Sequence, residues 1–65
     1  MDAQKTGAFI ASVRKEKGLT QSDLAERLLV SDKTISKWGR GAGFPDIKNL
    51  EPLAAALGVS LVELM

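Results

Sequence analysis

Between the apolar stripe of one short helical stretch and the body of the next, this chain leaves only Leu29, Val30 and Ser31. No other feature constrains the fold as much. From Gln21 to Leu28, the residues Leu24, Ala25 and Leu28 repeat at helical intervals. Thr20 is a good N-cap, and Asp23 three residues later completes a capping-box pattern. Ser31 is a second N-cap, opening a stretch that runs to about Trp38. Two helices joined by so short a turn predict one compact unit over about residues 20–38.

The flanking segments also read as helices. The first runs from Ala3 to about Lys17, with Phe9, Ile10 and Val13 on one stripe and Gly18 as its stop. Gly39-Arg40-Gly41-Ala42-Gly43 is a loop. Pro45-Asp46 starts a fourth helix whose Ile47, Leu50, Leu53, Ala54 and Leu57 are expected to face the core. Pro52 inside it removes one backbone bond, and Gly58 closes it. Ser60 and Glu63 repeat the capping box and open a short fifth helix at Leu61. The expected fold class is all-α, a compact five-helix bundle forming one domain over residues 1–65. Trp38, Phe9 and Phe44 are read as packing residues.

Composition excludes more than it selects. There is no cysteine, which rules out disulfides and cysteine–zinc sites. Histidine and tyrosine are also missing, so Ser12, Ser22, Ser31, Ser36 and Ser60 have no evident base to activate them. The carboxylates are scattered, and capping accounts for Asp23, Asp46 and Glu63. The glycine loop lacks the lysine and spacing of a phosphate cradle. No catalysis, cofactor or metal is expected. With no apolar signal core and no run of about 18 apolar residues, the chain reads as soluble and cytoplasmic, away from membranes. The net charge is +1, so any binding to nucleic acid requires basic residues gathered on one face.

The third helix gathers them. On a helical wheel Ile35 and Trp38 fall on one side, and Lys33, Ser36, Lys37 and Arg40 on the other. A charged outer face alone is common on surface helices. Here it follows a capped helix and a three-residue turn. An α-helix fits the major groove of B-DNA, where lysine donates to guanine or phosphate. Ser31 and Asp32 stand at the helix start, where base edges are usually met. Asp32 can accept from a cytosine amino group, and Thr34 can offer its methyl to thymine.

The stretch Arg14-Lys15-Glu16-Lys17-Gly18-Leu19-Thr20-Gln21 carries a resemblance over nearly the whole chain. So do Asp23 to Leu28 with Val30-Ser31, Thr34 to Trp38, Arg40-Gly41 with Pro45, and Leu53-Ala54 to Ser60 with Leu64. Together they resemble the Cro/lambda-repressor type of helix-turn-helix, the XRE-like family. The resemblance implies a lambda-repressor-like bundle and transcriptional control, commonly repression, through double-stranded operator DNA bound by a dimer. It implies a phosphate contact for Gln21. Ser31, Asp32, Lys33, Ser36 and Lys37 would face bases or the adjacent backbone, and Arg40 and the amide of Gly41 would lie near phosphates. A homodimer patch would be Leu61, Val62 and Met65, small enough to hold weakly away from DNA.

Two positions depart from the family pattern. Leu29 stands where glycine is frequent, so it is expected in a left-handed backbone, strained unless its side chain packs on the core. Gly39 stands where glutamate usually pairs with an arginine matched here by Arg14. Arg14 is therefore expected to turn to solvent, another acid or a phosphate. Gly39 would be either the missing partner or a left-handed helix stop. The alternative function is a protein–protein module on the same scaffold, such as an antitoxin, which a large apolar surface on the last helix would favour.

Overall fold

Side-chain chemistry decides where the helices begin. The computed structural model describes residues 2–64. It has five helices in chain order: α1 (Ala3–Glu16), α2 (Gln21–Leu28), α3 (Asp32–Gly39), α4 (Ile47–Leu57) and α5 (Leu61–Leu64). The Asp2 carboxylate caps α1 by accepting from the amides of Gln4 and Lys5 at 2.9 and 3.3 Å. At α2 the Asp23 amide donates to Thr20 Oγ1 at 3.0 Å, and the Thr20 amide donates to Asp23 Oδ2 at 2.9 Å. That backbone donor holds the Asp23 carboxyl below its usual range, helped by the Thr20 hydroxyl. Ser31 caps α3, and Ser60 with Glu63 forms the same reciprocal box at α5. Asp46 departs from expectation: it stands at the N-cap of α4 without a capping side-chain bond. Lys17 is the residue that closes α1 rather than its last helical one.

Four helices end on one device. The amides of Leu19, Val30, Ala42 and Val59 reach back five residues, each at 3.0 Å, to the carbonyls of Arg14, Ala25, Lys37 and Ala54. This bond needs a left-handed residue just before the donor. Those residues are Gly18, Leu29, Gly41 and Gly58, with φ of 70°, 58°, 73° and 70°. Leu29 is the one side-chain-bearing residue in that role. It is 92% exposed, so core packing does not offset the strain.

Ile10, Val13, Leu24, Ala25, Leu28, Ile35, Trp38, Leu53, Ala54, Leu57 and Leu64 form one buried core. Phe9 packs against it as expected, whereas Phe44 is part exposed beside Trp38 and Lys37. α1 and α2 both pack on α3, α4 lies against α2, and α5 closes on α1 and α4. The contact of α1 with α3 is backbone to backbone. A Cβ at the buried Gly7 would collide with the Trp38 carbonyl oxygen, and one at Gly41 would lie 2.8 Å from Gln4 Cα. Ile47 corrects the sequence reading, because it is 89% exposed, and Leu50 is only half-buried. Side chains lean toward a helix's N-terminus, so a residue in the first turn points past the helix start. The stripe of α4 thus runs off the end of the core. Pro52 lies inside α4 as expected, at an exposed position. Among the described residues, no helix is long and apolar enough to cross a membrane.

Two substitutions test this packing. Leu29→Gly relieves about 1–2 kcal/mol of left-handed strain and gives back about 0.4–1 kcal/mol to a looser unfolded chain. A net gain of several tenths to about 1 kcal/mol should raise the melting temperature by a few degrees; a fall would contradict the strain argument. Gly7→Ala tests the close approach. Helix propensity alone favours alanine by about 0.8–1 kcal/mol. We expect the collision with Trp38 to win and the mutant to lose about 1–3 kcal/mol in denaturant unfolding. A more stable mutant would mean that α1 and α3 do not meet there.

Candidate nucleic-acid interface

Because Ile35 and Trp38 anchor α3 in the core, the rest of the helix is presented outward. Asp32, Lys33, Lys37 and Arg40 are exposed, and Ser36 is half-buried between them. The structure therefore puts Lys33, Ser36, Lys37 and Arg40 on the outer side that the wheel gives them. Arg40 Nη1 donates to Ser36 Oγ at 2.6 Å, an i,i+4 pair along this side. The Arg40 bond uses one acceptor position of the Ser36 hydroxyl. Its single proton remains free for an outside acceptor. The stem of Lys37 lies beside Gly43, where a Cβ would come within 3.1 Å of its Cε. Lys37 also lines a cleft with Thr34, Phe44, Lys48 and Asn49.

The helix start is held from two directions. Ser31 Oγ accepts from the Thr34 amide at 3.2 Å and shares a hydrogen bond with Thr34 Oγ1 at 3.0 Å. The two hydroxyls engage each other, and Thr34 is half-buried. Asp32 Oδ2 accepts from Ser22 Oγ at 2.9 Å across the turn. Gln21 is exposed at the first position of α2, with Thr20 capping beneath it. The Ser22–Asp32 contact was not legible in the sequence, since no periodicity links positions ten apart on two different helices.

Gly41 sits differently from the expectation. Its amide donates to the Trp38 carbonyl at 3.0 Å and its Cα side faces Gln4 of α1. That amide closes α3, so it is not a free donor for phosphate. Arg14 also takes an unforeseen course. Its Nη1 donates to the Leu19 carbonyl at 2.7 Å, tying the end of α1 to the loop before α2. A backbone carbonyl thus replaces the acid, solvent or phosphate expected for it. Gly39 is helical, outside the left-handed region, and a Cβ there would meet open space. It is therefore not a left-handed stop; Gly41 fills that role. Among the described residues, no cluster of three or more metal-ligating side chains occurs.

Comparison with known proteins agrees with this geometry. A helix-turn-helix family model matches residues 10–64. The chain is 44% identical over 66 aligned residues to the HTH-type transcriptional regulator y4dJ of Sinorhizobium fredii, covering 100% of this chain and 86% of that one. It is 39% identical over 56 residues to the HTH-type transcriptional activator BcrR of Enterococcus faecalis. There the match covers 86% of this chain but only 28% of the relative. Among solved structures, the restriction-modification controller protein C.AhdI of Aeromonas hydrophila superimposes with a TM-score of 0.89 at 30% identity, over 98% of this chain and 97% of that one. The biofilm master regulator SinR, solved in complex with DNA, gives 0.82 at 38% identity over 91% and 95%. With its fold, its three-residue turn and these matches in agreement, the chain belongs to the helix-turn-helix family of the lambda-repressor-like, XRE type.

Proposed function

We propose that this protein binds double-stranded DNA sequence-specifically and regulates transcription by occupying an operator. The observation that carries this reading is the outer side of α3. Lys33, Lys37 and Arg40 are exposed there while Ile35 and Trp38 hold the helix from behind. Such a helix in a major groove presents cations to guanine edges and phosphates. In this reading Gln21 and Arg40 contact phosphate and set register, while Asp32, Lys33, Ser36 and Lys37 face bases. Ser31 and Thr34 supply the cap and the thymine-facing methyl. The DNA-bound structure of SinR, 38% identical, supports it. The site of action is the cytoplasm, and no catalytic step or cofactor is part of the reading.

A second copy is proposed as the other partner, on a near-palindromic site with half-sites about 34 Å apart. Val62 is 83% exposed and Leu61 40%, whereas Leu64 is buried. Met65, the remaining member of the expected patch, lies outside the described residues. A patch this small favours assembly on DNA. Among the described residues the patch is also too small to favour the antitoxin-like module, which gives the cationic side of α3 no role.

Site selection from random duplexes, followed by affinity measurements over a salt series, tests the proposal. Lys33→Ala or Lys37→Ala should cost about 1–3 kcal/mol on the selected site where the lysine reads guanine. A lysine on phosphate should instead weaken all sequences alike and reduce the salt slope by about 1. Unchanged affinity in the double alanine variant would exclude this side of α3 as the DNA surface.

A further inference from the structure

We propose that Ser22, on α2, helps set the base preference of this protein by fixing the Asp32 carboxylate at the start of α3, and that the base so read is cytosine. The inference rests on the reading of α3 as the base-facing helix. Ser22 and Asp32 are both exposed, yet they are joined at 2.9 Å across the turn. A serine hydroxyl carries one proton, and this bond uses it. Ser22 therefore cannot donate to a phosphate while it holds Asp32. Its hydroxyl donates to Oδ2, which leaves Oδ1 to accept from outside. The backbone of Asp32 is itself fixed, because it follows the Ser31 cap. Side chain and main chain are thus both oriented before any partner arrives.

A carboxylate on a surface that meets polyanionic DNA is repelled by phosphates. It is tolerated where a base edge offers a donor. In the major groove those donors are the amino groups of cytosine and adenine. Adenine sets its N7 acceptor beside the amino group, and a carboxylate facing that edge meets a lone pair. Cytosine offers its amino group without that neighbour. An untethered aspartate can rotate away from an unfavourable edge. One tied to α2 cannot do so without breaking the Ser22 bond, so the tether sharpens the preference. Ser22 is in this sense a positioning residue, acting through Asp32.

Selection from random duplexes with the wild-type chain, then affinities for all four base pairs at each position, tests this. One position should prefer cytosine by about 5- to 150-fold, and Asp32→Ala should abolish that preference. Ser22→Ala should reduce it by about fivefold or more at that position alone, with an unchanged melting temperature. Ser22→Thr, which keeps the hydroxyl, should retain it. The inference is overturned by Ser22→Ala keeping a preference that Asp32→Ala loses, by Ser22→Ala weakening every sequence alike, or by an Asp32-dependent position that prefers another base. A wild-type chain that selects a site with no Asp32-dependent position overturns the inference and leaves DNA binding standing. A wild-type chain that selects no site removes the DNA-binding reading itself, and this inference with it.

Discussion

The close approach of α1 to α3 supports everything outward of it. Gly7 lets the backbone of α1 pass against the Trp38 carbonyl, and Gly41 seats the end of α3 on Gln4. Side chains larger than hydrogen at either place would push the helices apart. Because the contact lies at the C-terminal end of α3, it holds that helix from behind and leaves Lys33, Lys37 and Arg40 exposed. Ile35 and Trp38 then complete the seat with buried apolar surface, each near-fully enclosed. Folding and presentation of the outer side of α3 are one event in this chain. A bundle this small buries a modest share of its surface, so each such contact weighs heavily in its stability.

The turn between α2 and α3 is the second constraint. The bond from the Val30 amide to the Ala25 carbonyl requires a left-handed residue, and Leu29 supplies it at φ 58°. The same device ends α1, α3 and α4 with glycine. The leucine is therefore held by its surroundings: the Ser31 cap on one side and the packed Leu28 on the other. Ser22 bonding to Asp32 adds a side-chain link across the same turn. The angle of α3 and the orientation of its first side chain are thus set by neighbouring residues.

Much of this was legible in the sequence, and the limits have physical causes. Thr20 with Asp23, Ser31, and Ser60 with Glu63 announce helix starts because capping is local chemistry. The inner and outer sides of α3 follow from the helical period, which fixes where Ile35, Trp38, Lys33 and Lys37 point. Leu29 was readable as left-handed, through the family resemblance, but not as exposed, since exposure depends on neighbours far along the chain. Ile47 misled for a related reason: periodicity marks a stripe without saying where the core beneath it ends. Arg14 and Gly41 misled because both found backbone partners, Leu19 and Trp38, which leave no trace in side-chain pattern. The Ser22–Asp32 bond depends on the angle between two helices and could be seen only in three dimensions.

The central claim is that α3, seated by α1, presents its outer side to DNA. Amide chemical-shift mapping of the labelled protein, titrated with its selected duplex at a stated salt concentration, tests it most directly. Shifts centred on residues 31–40 and on Gln21, with α5 moving only where the second copy assembles on the duplex, are the result this account predicts. Shifts confined to the exposed residues of α4 and α5, with Lys33, Ser36 and Lys37 unmoved, would contradict it.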